Sequence, residues 1–194
     1  MALNGQAGPP REVRIIGGQW KRSKLPVADV PGLRPTPDRV RETLFNWLGQ
    51  DLAGWRCLDA FAGSGALGFE AASRGAALVL LLERDRKLVA ALEQTRQRLK
   101  ATALSISNAE ALAWMARCAA QSFELVFIDP PFDSDLLVPA IAAAARLVVP
   151  DGFVYIEAGR TLAADAQSLH GLALHRLGRA GAVHFHLAQK RVAD

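Results

Sequence analysis

Asp129, Pro130, Pro131 and Phe132 follow directly on the apolar run Phe123 to Ile128. A carboxylate, two prolines and an aromatic ring at one corner can do specific chemistry. Asp129 accepts one hydrogen bond and the Pro130 carbonyl accepts another, while proline restricts the backbone and so fixes both acceptors. A planar exocyclic amine carries two N–H groups and a delocalised lone pair. Holding both N–H groups on fixed acceptors orients the nitrogen and favours its pyramidal, nucleophilic form. Phe132 adds a surface on which an unpaired or flipped-out base stacks.

A second loop follows the run Arg56 to Asp59. From Asp59 through Ala60, Phe61, Gly63 and Gly65 to Gly68 it reads DAFAGSGALG and contains GxGxxG. Glycines let a backbone turn sharply into a helix and approach a ligand closely. Alone, that spacing fits a tight turn as well as a cofactor loop. Glu83 ends the next apolar run twenty residues after Gly63, where a carboxylate accepts both hydroxyls of a ribose. Nicotinamide dinucleotides and S-adenosylmethionine share the adenosine that these features serve. Asp59 favours the second, because a carboxylate there repels a pyrophosphate and suits an ammonium or a sulfonium. Asn108 offers an acceptor to an adenine amine, with the Ala109 backbone along the ring edge; a helix cap is the structural alternative for Asn108.

These loops need a scaffold that brings them to one edge. RCLDAF, ALVLLLE, ALSIS, FELVFI and FVYIE read as strands, alternating with helices over GALGFEAASRG, Asp85 to Lys100, Glu110 to Ala119 and Leu136 to Val149. Such alternation predicts a Rossmann-like, doubly wound α/β sheet with ligands at the carboxyl ends of its strands. Leu172 to Leu177 and Ala182 to Leu187 predict an antiparallel C-terminal hairpin, making seven strands, mostly parallel. Upstream, VRIIGG reads as a short strand and the segment to Pro35 as loop. Thr36 then caps a helix whose first residue is Pro37 and whose apolar stripe is Val40, Leu44, Trp47 and Leu48; Arg39 and Arg41 lie off that stripe. The division expected is a flexible tail over 1–12, a basic arm and helix over 13–50, and the catalytic domain over 51–194.

Charge is uneven along the 194 residues. The chain carries a net +4, yet residues 11 to 41 hold eight basic and three acidic residues, so the rest is close to neutral. A basic arm with Trp20 on a neutral body suits a phosphate backbone. The tail lacks the apolar core of a signal peptide, and the run Ala76 to Leu82 is too short to span a bilayer. Cys57 and Cys118 lack CxxC pairing and fit a reduced, cytoplasmic protein. His184 and His186 share a strand face, with His175 opposite; no carboxylate or Cys completes a metal site, so a half-exposed hairpin face and no metal are expected.

DPPF after the fourth strand, with the D-x-x-x-G-x-G loop, resembles the class I S-adenosylmethionine-dependent amino-methyltransferases. RIIGGQWKRSKLPV followed by LRPTPDRVRETLFNWL is similar to the RsmD family, which methylates the N2 amine of a guanine in bacterial 16S rRNA. The resemblance runs from about Arg14 to Glu157. It implies Thr36 at the methionine end of the cofactor, Glu83 on the ribose, Asn108 and Ala109 on adenine, and Asp129 to Phe132 at the target base. It also implies that Lys21, Arg22, Lys24, Arg34, Arg39 and Arg41 grip rRNA, within the small ribosomal subunit or an assembly intermediate, with the protein a monomer. Relatives in the wider class often have Asp where Asn108 stands. An adenine-N6 DNA methyltransferase stays open, since DPPF serves any exocyclic amine, although the chain has little room for a target-recognition domain. A silent RNA-binding assembly factor would not need Asp59, Gly63, Gly65, Glu83 and Asp129 together. For an NAD-dependent reductase the hydride-transfer Tyr-Lys or His-Asp pair is missing, Tyr155 being the only tyrosine.

Overall fold

Along Leu125 to Ile128 the side chains alternate between two hydrophobic cores. Leu125 and Phe127 enter one, Val126 and Ile128 the other, because successive residues of a strand face opposite sides of the sheet. The strand is therefore covered on both faces, which is why it is apolar throughout. The computed structural model describes residues 12–30, 35–132, 134–162 and 169–191. Most of the expected tail, and Arg34, lie outside them.

In chain order the elements are β1 (Glu12–Arg14), β2 (Lys24–Pro26), α1 (Asp38–Leu48), β3 (Arg56–Asp59), α2 (Ala66–Ser73), β4 (Leu78–Glu83) and α3 (Arg86–Leu99). There follow β5 (Leu104–Asn108), α4 (Ala111–Arg117), β6 (Phe123–Ile128), α5 (Leu137–Leu147), β7 (Val148–Ala158), β8 (Ala173–Ala180) and β9 (Val183–Gln189). Seven strands form one sheet in the order β5-β4-β3-β6-β7-β9-β8. Those from β5 to β7 are parallel, and β9 and β8 add antiparallel. The strand order reverses between β3 and β6, the place where an open α/β sheet has its ligand crevice.

Local signals set the helices. Asp85 caps α3 by accepting from the backbone N–H groups of Lys87 at 2.7 Å and Leu88 at 3.3 Å, and Lys100 ends it in the left-handed conformation. Glu110, not Asn108, caps α4 through the N–H groups of Leu112 and Ala113. Thr36 does not cap α1: the capping position falls on Pro37, without a side-chain bond.

Two further differences from the sequence reading concern β-structure. The segment before Pro35 contains β2, which pairs antiparallel with β1. Strand β7 begins at Val148 and carries the turn Pro150-Asp151-Gly152 as an irregularity, so that Phe123 pairs with Val148 but Leu125 with Phe153. The β1–β2 hairpin packs into the main core through Val13, Ile15, Leu25 and Val27, together with Leu44, Phe45, Phe69 and Ala72.

Candidate active site

The carboxyl ends of β3, β4 and β6 lie side by side, and the loops leaving them build the site. After β3 the chain turns with Gly63 at φ 53° and Gly65 at φ 78°, values that side-chain-bearing residues rarely adopt. A Cβ on Gly65 would stand 2.6 Å from Leu92 Cδ2 and 2.8 Å from Phe69 Cδ2, so the loop is held against α2 and α3. Glu83, at the end of β4, accepts from the Gly63 N–H at 3.0 Å and the Asp85 N–H at 2.8 Å. A carboxylate has about four acceptor positions, so Glu83 can order the loop and still accept ribose hydroxyls. The Asn108 amide donates to the carbonyls of Glu83 and Arg84 at 3.0 and 2.9 Å. Acceptance at Oδ1 is the role left for it toward a ligand, and the Ala109 N–H is spent on the Glu83 carbonyl.

Asp59, Asp129 and Glu157 lie on one face of three adjacent strands. Asp59 pairs with Phe127, which pairs with Tyr155, and Ile128 pairs with Ile156. Asp129 and Glu157 therefore leave neighbouring strands side by side. Asp59 lies under the glycine loop, 2% exposed, and accepts from the Gly68 N–H at 3.0 Å. Burial, aided by the charges of Glu83 and Glu157, pushes its pKa up to about 7 against the pull of backbone N–H groups. Burial first, then Glu157 and Asp59, likewise raises Asp129 well above the ordinary carboxylate range. Glu157 is raised by burial, and hydrogen bonds from the hydroxyls of Thr36 and Tyr155 hold it back. Among the described residues, no Lys, Arg or His forms an ion pair with any of the three. The site favours a cation.

Beyond Asp129 the chain opens a cleft of about 510 Å³ lined by Pro130, Pro131, Phe132, Glu157, Gly159 and Arg160, among others. Phe132 is 48% exposed and its ring leans toward Gly159, where an added Cβ would sit 3.7 Å from it. An exposed ring beside a carboxylate can stack a planar base while the carboxylate takes the base's N–H groups.

Residues 13–189 match a family model described as conserved hypothetical protein 95. The ribosomal RNA small subunit methyltransferase D of Escherichia coli strain K12 is 43% identical over 186 residues, 92% of this chain and 90% of that protein. The chain belongs to this methyltransferase D family. The Haemophilus influenzae member is 44% identical over 75% of this chain and 78% of its own length. The solved structure of Escherichia coli yhhF superposes with a TM-score of 0.80 at 39% identity, covering 93% of this chain and 99% of that one.

In this family member the basic arm is divided by the fold. Arg41 is a correction: its side chain is 0% exposed and its guanidinium binds Glu70 at 3.0 Å and Asp38 at 2.7 Å. A buried guanidinium paired to carboxylates cannot reach RNA, so its charge serves the fold. Arg39 is exposed on the first turn of α1, beside Thr36, whose hydroxyl donates to Glu157 at 2.7 Å; it therefore stands at the cleft end. Lys24 is exposed and pairs with Glu12 at 2.8 Å. Lys21 and Arg22 occupy the hairpin turn, where the Trp20 N–H bonds Ser73 Oγ at 3.0 Å. Ser73 ends α2, so that turn lies a helix length, about 12 Å, from the glycine loop.

His186 is also a correction, being buried rather than half-exposed. It lies on β9, an interior strand between β7 and β8, and accepts from the Leu162 N–H at 3.1 Å. Glu157 was missed as a site residue. The signal that selects Glu83, a carboxylate ending an apolar strand at the carboxyl edge, is equally present in FVYIE.

Proposed function

We propose that the chain transfers a methyl group from S-adenosylmethionine to the exocyclic N2 amine of a guanine in 16S rRNA. The observation that carries this reading is the Asp129-Pro130-Pro131-Phe132 corner, whose last three residues open on a cleft and which ends the strand next to β3, the strand that leads into the glycine loop. The names of the relatives support rRNA of the small subunit as the substrate, and the resemblance supports guanine N2 as the acceptor.

The residues fit the cofactor. The glycine turn approaches a ligand without side chains, Glu83 has acceptor capacity for the ribose, and Asn108 and Ala109 flank the place for adenine. Thr36 lies toward the methionine end, and the unpaired carboxylates suit ammonium and sulfonium charges. Bound there, S-adenosylmethionine supplies an electrophilic methyl group. Asp129 and the Pro130 carbonyl hold the two N–H groups of the guanine amine, Phe132 stacks the base, and Asp129 takes up the proton that the amine sheds. Rate acceleration comes from proximity and orientation. Arg39 and Lys24 contact phosphates, with Lys21 and Arg22 reaching RNA farther from the cleft. The setting proposed is cytoplasmic, with a monomer acting on the small subunit or an assembly intermediate.

Incubation with methyl-labelled cofactor and 16S rRNA, small subunits, transfer RNA or DNA, followed by digestion to nucleosides, tests the reading. Label in N2-methylguanosine from 16S rRNA is the expected result. Label in an N6-methyladenine product, or none, overturns it.

A further inference from the structure

Glu157 has an acceptor that the chemistry described so far does not use. It is 3% exposed, yet lines the cleft with Phe132. Its Oε1 receives two hydroxyl donors, Thr36 at 2.7 Å and Tyr155 at 2.9 Å. These bonds come from a residue ahead of α1 and from the same strand, and together they fix the carboxylate's orientation. Oε2 has no hydrogen bond from any described residue, and no fully buried side-chain oxygen lacks a partner among them. Oε2 therefore touches the cleft. Asp129 leaves the adjacent strand at the same level, and neighbouring strands are about 4.8 Å apart.

Two acceptors side by side match two donors side by side. The Watson–Crick edge of guanine carries N1–H next to the N2 amine. Adenine and 2-aminopurine have a bare lone pair at N1. An ionised carboxylate can only accept, so it pairs with N1–H and opposes an N1 lone pair. We infer that Glu157 reads the N1–H of the target base and so sets the choice of guanine over other amine-bearing purines, with Asp129 left to the N2 amine. This inference rests on the guanine-N2 reading above. Buried polar groups left unpaired are the source of such discrimination, here roughly 10- to 100-fold.

Two RNAs differing only in the target base, guanine or 2-aminopurine, test it. Both present the same amine, and only guanine has N1–H. In Glu157→Gln the side-chain carbonyl still accepts from Thr36 and Tyr155, while the amide turns an N–H toward the base. The guanine to 2-aminopurine ratio of kcat/KM is expected to fall at least tenfold relative to wild type. An unchanged ratio, even with slower turnover on both RNAs, would reduce Glu157 to a structural support and overturn the inference. A second measurement needs no variant. RNA with hypoxanthine at the target keeps N1–H but has no amine to methylate, so it should inhibit wild type about tenfold more strongly than RNA with unsubstituted purine there, which has neither; equal inhibition overturns the inference. If wild type methylates no guanine N2 at all, the underlying reading fails and the inference with it, an outcome distinct from both.

Discussion

Glu70 and the strand-end carboxylates Asp59, Asp129 and Glu157 sit in the same protein on opposite terms, all of them buried except the half-buried Asp129. Glu70 is 0% exposed and receives five hydrogen bonds: two from the guanidinium of Arg74, one from Arg41, and one each from the Ile16 and Gly17 N–H groups. Arg74 also lies 4.6 Å over the Phe45 ring. Asp59, Asp129 and Glu157 form no ion pair with any described residue. Burying a charge is costly unless it is paired. A carboxylate surrounded by the chain's own cations fastens one part of the fold to another, here the β1–β2 hairpin to α2 and α1. A carboxylate left without one keeps its acceptors for a ligand: on the proposed reading, the cationic cofactor at Asp59 and the N–H groups of the base at Asp129 and Glu157. Glu70, Asp59 and Glu157, similarly buried, thus differ in the company each keeps.

The largest expected effect of breaking this contrast is on stability at Glu70. Glu70→Gln leaves Arg41 and Arg74 facing a neutral amide and should cost about 3–5 kcal/mol in denaturant unfolding; a loss under about 1 kcal/mol would remove the distinction. Asp129→Ala should do the reverse. Its melting temperature should be unchanged or higher, because a half-buried carboxylate without an ion-pair partner is gone, while single-turnover methyl transfer drops roughly 10²–10³-fold. A variant that melts early yet transfers methyl at the wild-type rate would make the corner a simple turn. Glu83→Ala removes the acceptor that orders Gly63, and cofactor affinity by calorimetry should weaken by about 1.5–3 kcal/mol.

The pH dependence follows from Asp59. Its folded pKa of about 7 lies above the ordinary 3.8, so between those values the folded state binds more protons and stability falls as pH rises. Between pH 6 and pH 8 this group alone should remove on the order of 1 kcal/mol of unfolding free energy, and Asp59→Asn should flatten that part of the profile. Smallest is the arm. Arg39→Ala should lower the slope of log RNA affinity against log salt by about 0.7–0.9 and leave cofactor affinity unchanged; an unaltered slope would take Arg39 off the RNA path.

What the sequence made legible divides along a similar line. Much of the sheet was readable because its central strands are short, mostly apolar runs separated by helical segments, two of them, α3 and α4, with side-chain caps. The glycine loop, Glu83 and the Asp129 corner were readable because they end such strands. Arg41 was not, since its burial depends on Glu70, twenty-nine residues away on another helix. Strand β2 was hidden for a related reason: KLP is three residues long, and its hairpin is fixed by bonds from its turn to Glu70 and Ser73 rather than by its own pattern. Thr36 looked like a cap because Ser and Thr favour that position, but its hydroxyl goes to Glu157, 121 residues later.

The central claim, that the buried Asp59 beneath the glycine loop awaits a cationic ligand, can be measured as protons released on binding. Calorimetric titration at pH 7 in buffers of different ionisation enthalpy gives that number for S-adenosylmethionine and for S-adenosylhomocysteine, which lacks the sulfonium charge. Burial pushes the Asp59 pKa up to about 7, so the sulfonium ligand should displace protons from it at that pH, and S-adenosylhomocysteine fewer. Equal release by the two ligands, or none by either, would contradict the account.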